Sequence, residues 1–138
     1  MADVSALANV LYEKKNEIAY VTLNRPKVLN ALNTPTWTDL KTAFDDAKAD
    51  RAIHGAILTG AGDKAFIAGA DISELAHVNA YEAEESSRFG QGVLDLIENL
   101  GKPVIAAITA LRSAVVARRR WLAPSGSPRN MPSSGSPR

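Results

Sequence analysis

The chain has 138 residues, 46% of them hydrophobic and 22% charged, with no cysteine; this suits one globular domain of modest size and excludes a disulfide framework or a thiolate metal site. An acid stands in Met1-Ala2-Asp3-Val4-Ser5 where a secretory leader needs cations, and the longest apolar run, Pro103 to Leu111, is shorter than the roughly 20 residues of a membrane span, so a soluble cytoplasmic protein is expected. The net charge of +1 conceals a split: all 15 acidic residues lie in 1–110 beside ten Lys and Arg, whereas 111–138 carries six Arg and no acid.

From Val10 to Leu23 the pattern predicts a hairpin, with strands Val10 to Lys14 and Ile18 to Leu23 around the polar turn Lys15-Asn16-Glu17. In the second strand Ala19, Val21 and Leu23 alternate with Ile18, Tyr20 and Thr22, so one face can be buried fully and the other partly. Asn24-Arg25-Pro26-Lys27 ends the ladder, because Pro26 has no N–H to donate. Thr34-Pro35 then predicts a helix start, with the Thr oxygen accepting an orphan amide and the proline ring fitting the first turn. Trp37, Leu40, Phe44 and Ala47 form its apolar stripe, opposite Asp39, Asp45, Asp46 and Lys48, and the helix should end near Asp50.

Gly55 to Gly60 reads as a short buried strand. Asp71 and Glu74 have capping-box spacing ahead of a short helix from Ile72 to His77. A longer helix follows from about Tyr81 to Leu100, with Phe89, Val93, Ile97 and Leu100 on one face. Gly101-Lys102-Pro103 ends it, and Val104 to Ile108 reads as another buried strand.

Few residues carry a chemical signal. His54 and His77 lack ligand-spaced partners, and no Ser, His and acid fall into a nucleophile pattern. Gly60-Ala61-Gly62-Asp63-Lys64 lacks the spacing of a phosphate loop. The stretch Lys64-Ala65-Phe66-Ile67-Ala68-Gly69-Ala70-Asp71-Ile72 is more informative. Its small side chains let a ligand approach the main chain, and the helix after Asp71 puts a positive end beside it. Such amides suit an oxyanion hole; the competing reading is a plain strand-to-helix turn.

Three blocks, Asn24 to Asn33, Lys64 to Ile72 and Lys102 to Ile108, occur in the order and spacing of the enoyl-CoA hydratase/isomerase (crotonase) family, which residues 8–109 resemble. The resemblance implies an α/β fold, a crotonase-like ββα superhelix, here truncated to an N-terminal part at 1–109. It implies acyl-CoA thioester substrates, no cofactor beyond the coenzyme A of the substrate, and homotrimers or hexamers. It makes the Ala68 amide one oxyanion donor, has Ala68, Gly69, Ala70, Asp71 and Ile72 line the acyl-CoA site, and brings Arg25, Lys27 and Leu29 near the coenzyme A nucleotide.

After Ile108 the resemblance breaks. The family continues through Gly-Gly-Gly-Cys-Glu and later Lys-Phe-Gly-Gln-Pro-Glu, whose two glutamates are catalytic; here Ala114 to Arg118 and Ser133 to Arg138 stand instead. Read one base late, GGC GGT GGT TGC GAG gives Ala-Val-Val-Ala and AAG TTC GGG CAG CCC GAG gives Ser-Ser-Gly-Ser-Pro, each followed by Arg when the next base is a purine. Both match this chain. A one-base slip near codon 109 is therefore expected, with 110–138 an out-of-frame, disordered tail and the glutamates replaced by Arg118 and Arg138. The expected function is that of an enoyl-CoA hydratase whose acids are lost. Alternatives are another reaction of the family, such as isomerisation or decarboxylation, or a non-enzymatic module whose basic tail binds nucleic acid.

Overall fold

The computed structural model describes residues 4–108. After a single 3-10 turn at Val4–Ala6, strands β1 (Val10–Lys15) and β2 (Ile18–Leu23) form an antiparallel hairpin in which Lys15 faces Ile18. The turn is therefore two residues, Asn16 and Glu17, both at positive φ (52° and 67°), the twist that matches a right-handed ladder.

Helix α1 (Thr34–Ala49) leads to β3 (Gly55–Gly60), and helices α2 (Ile72–Leu75) and α3 (Ala80–Glu98) lead to β4 (Val104–Ala107). The sheet order is β1-β2-β3-β4, with β2, β3 and β4 parallel. Two crossovers through helices thus sit beside one hairpin, as parallel pairing requires.

The core lies between the sheet and α1, with α3 packed against α1. Ala19, Val21 and Leu23 are buried, while Tyr20 on the opposite face is exposed, as the alternation predicts. From α1, Leu40, Ala43, Phe44 and Ala47 are buried. From α3, Val93 is buried, with Phe89 and Ile97 packed against the same cluster.

The two ends of α1 are held by side chains, one from the adjacent residue and one from a distant segment. Thr34 is not the cap: Asn33, in extended conformation, accepts the Thr36 amide at 3.0 Å, and Pro35 occupies the first turn. At the other end Lys102 Nζ donates to the Ala47 and Asp50 carbonyls at 2.6 and 2.7 Å, placing a cation at the negative end of the helix. The acidic face of α1 is not simply solvated. Asp46 accepts from the Tyr12 hydroxyl at 2.6 Å and Asp50 from Lys14 at 2.9 Å. Partial burial and Asp46 push the Tyr12 phenol well above its usual range.

Several element ends differ from expectation: β1 runs on to Lys15, α3 spans Ala80–Glu98 rather than Tyr81 to Leu100, and β4 stops at Ala107 rather than Ile108. Helix α2 stops at Leu75, short of His77. Strand β4 is no buried strand either: Ile105 is 61% exposed, because β3 is its one sheet neighbour among the described residues and no helix covers that face. Also among the described residues, no helix is long and apolar enough to cross a membrane. The boundary expected at 109/110, the out-of-frame tail and the acid positions at Arg118 and Arg138 lie outside the described residues.

Candidate functional site

Two loops, 24–33 after β2 and 61–71 after β3, lie together because their strands are parallel neighbours and so leave the sheet at the same end. Asn30 fastens them. It is 1% exposed and sits at φ 56°, a left-handed conformation that asparagine tolerates better than most residues. Its Nδ2 donates to the Ala61 and Ala65 carbonyls, both at 2.9 Å, and its Oδ1 accepts the Arg25 amide at 2.9 Å. The fit requires glycine at 60, where a Cβ would stand 2.8 Å from that Nδ2 and 2.4 Å from the Phe66 carbonyl oxygen.

Segments 29–32 and 68–71 then pair as a short parallel bridge. The Ala68 amide donates to Leu29 at 3.0 Å, Leu32 to Gly69 at 2.8 Å and Asp71 to Leu32 at 2.9 Å. This corrects the sequence expectation at Ala68, whose N–H is held in the pairing. A parallel bridge centred on Leu32 turns the N–H of Ala70 away from it. That amide has no acceptor among the described residues, and Ala70 lines a cleft of about 330 Å³.

The cleft is walled by Leu32 and Trp37, by Ala70, Asp71, Glu74, Leu75 and Val78, and by Ala83, Ser87, Gly90 and Leu94 of α3. Glu74 was expected to close a capping box with Asp71. It reaches instead across to α1, accepting from the Thr34 amide at 2.8 Å and from the Thr34 hydroxyl. Asp71 caps α2 alone, through Ser73 N. The reciprocal box in this chain is at Asn79 and Glu82, at the start of α3.

Arg25 is tied into both loops. Its Nη1 donates to the Ala31 carbonyl at 2.5 Å and to Asp71 Oδ2 at 3.2 Å, and the pair is largely shielded. Through Nη1 the guanidinium ties the two loops together. Lys27 and Leu29 are exposed and line a separate groove of about 230 Å³ with Lys64, Asp63, Gly62 and Ala61. Among the described residues neither Lys27 nor Lys64 has a carboxylate partner. Gly69 sits at φ 132° beside open space, and Ile72 is 80% exposed on the rim rather than in the cleft. No group of three or more His, Cys, Asp or Glu is placed to hold a metal among the described residues.

The site carries a pH signature. Hydrogen bonds from Ser73, with the Arg25 guanidinium beside it, hold the Asp71 carboxyl below the usual range; Lys14 and the Ala52 amide do the same for Asp50. Groups with depressed native pKa add stability that is complete above the unfolded pKa and is lost as pH falls through the native one. The urea midpoint is therefore expected to hold near about pH 6 and fall below about pH 4, with Asp71→Asn flattening that fall.

Trp37, Glu74 and the α3 wall are the site residues that sequence reading missed. The spacing of Ala83, Ser87, Gly90 and Leu94 along one side of α3 was the available signal.

Residues 13–113 match the family model described as Enoyl-CoA hydratase/isomerase. The chain is 45% identical over 103 residues to a crotonyl-CoA hydratase of Syntrophomonas wolfei, covering 75% of this chain and 40% of that protein. It is 45% identical over 102 residues to a short-chain-enoyl-CoA hydratase of Clostridium acetobutylicum, covering 74% and 39%. A crystal structure of an enoyl-CoA hydratase/carnithine racemase from Magnetospirillum magneticum superposes with a TM-score of 0.71 at 44% identity, covering 75% of this chain and 39% of that one. The chain thus spans about 40% of the length of the curated relatives it matches.

Proposed function

This chain belongs to the enoyl-CoA hydratase/isomerase family and has the N-terminal part of the crotonase-like α/β fold, and from that premise we propose that its two loops form the thioester-binding half of an enoyl-CoA hydratase-type site. The observation that carries this reading is the Ala70 amide, without an acceptor among the described residues and beside an apolar cleft. A thioester carbonyl that accepts from this N–H gains negative charge as water adds to the conjugated double bond. The hydrogen bond strengthens as the enolate forms, so it lowers the barrier rather than merely holding substrate. The cleft takes the acyl chain. Lys27, expected with Arg25 and Leu29 near the coenzyme A nucleotide, and Lys64 offer cations for its phosphates, neither having a carboxylate partner among the described residues.

Hydration of a 2-trans-enoyl thioester also needs carboxylates to position and activate water. On the out-of-frame reading of the tail the family's two acid positions fall at Arg118 and Arg138, so the chain is expected to bind acyl-CoA without hydrating it. Assembly as a trimer or hexamer is part of the same reading. Calorimetric titration tests it: butyryl-CoA is expected to bind more tightly than coenzyme A, and equal or absent binding of both by the folded chain refutes it.

A further inference from the structure

The cleft beside Ala70 offers few polar atoms to a ligand. Thr34 and Glu74 satisfy each other across it, and Gln91 bonds Ser87 within α3. The rest of the wall is largely apolar, and its bulkiest member is Trp37. That indole is backed directly by the main chain of α3: a Cβ placed on Gly90 would stand 3.1 Å from Trp37 Cε2 and 3.2 Å from Cζ2. No side chain separates the ring from the helix, so the ring cannot retreat in that direction without moving α3 itself. A close-packed interior does not yield by so much as a methylene without cost.

We propose that Trp37, seated on Gly90, sets the length of acyl chain the cleft accepts. The inference rests on the acyl-CoA reading of the same cleft. Each methylene buried before the chain reaches the indole raises affinity by about fourfold, and methylenes beyond it add nothing because they return to water. The class implied is acyl thioesters of short to medium length. At about 330 Å³ the cleft lies at the low end of small-molecule sites.

The test titrates the full chain, in a Trp121→Phe background that leaves Trp37 as the one indole, with butyryl-, octanoyl- and lauroyl-CoA and with coenzyme A. Trp37 emission is expected to change with the acylated ligands alone, and affinity to climb and then level. In Trp37→Ala, followed by calorimetry, the levelling point moves to longer chains. Trp37→Phe keeps a ring on Gly90, guards against a variant that does not fold, and gives an intermediate shift. Length dependence unchanged in both folded variants would overturn the role of Trp37 and leave the acyl-CoA reading standing. Failure of every acyl-CoA to bind the folded parent would overturn both.

Discussion

Crotonyl-CoA mixed with the purified 138-residue chain is expected to stay unhydrated, with turnover at least about 10⁴-fold below that of an intact hydratase, since each acid or base contributes about 10² to 10⁴. In the proposed site an amide of the Ala70 loop would stabilise charge on the thioester oxygen but cannot take a proton from water. Among the described residues Glu74 is the one carboxylate of the cleft wall besides Asp71, and both are occupied: Glu74 with Thr34, Asp71 with Arg25 and Ser73. Restoring a single base near codon 109 of the coding DNA supplies the matching arm. If the tail is a misread frame, the corrected gene should encode glutamates in place of Arg118 and Arg138 and regain hydration. Loss of the enoyl chromophore at ordinary hydratase rates with the uncorrected chain would refute the assignment of the acids.

The second large effect is on stability. Asn30→Ala removes one acceptor and two donors from a site 1% exposed, orphaning the Ala61 and Ala65 carbonyls and the Arg25 amide. At about 1 to 3 kcal/mol per buried group left unsatisfied, the expected loss is roughly 3 kcal/mol or more, with about 1 kcal/mol added for forcing alanine to positive φ. Asn30→Gly separates these terms, since it relieves the backbone strain but loses the same hydrogen bonds. Urea unfolding followed by circular dichroism checks the order, parent above Asn30→Gly above Asn30→Ala. Equal midpoints for all three would show that Asn30 does not hold the loops.

The elements were legible where one local pattern decided them. Glycines bound β3 at Gly55 and Gly60, period-two alternation marked β2, and three- and four-residue spacing marked α1. The site was legible as a segment but not to the atom. Which amide of Ala68-Gly69-Ala70 is free depends on the register against Leu29 to Leu32, a contact between loops some forty residues apart that composition does not encode. Arg25 is a related case: its sequence position does not encode that Nη1 bonds Asp71 and the Ala31 carbonyl across the two loops. Thr34 and Glu74 each had the right residue type for a local cap, and each was drawn into a contact with the other. The exposure of Ile105 follows from which strands are present rather than from its own sequence, which reads as buried.

The most direct measurement is the backbone amide resonance of Ala70 in a ¹⁵N-labelled chain titrated with butyryl-CoA. A thioester oxygen accepting from that N–H should move the Ala70 proton downfield while Ala68, already bonded to Leu29, stays in place, and coenzyme A alone should leave both unmoved. Saturation with butyryl-CoA and an unmoved Ala70 amide would contradict a thioester-binding role for this loop.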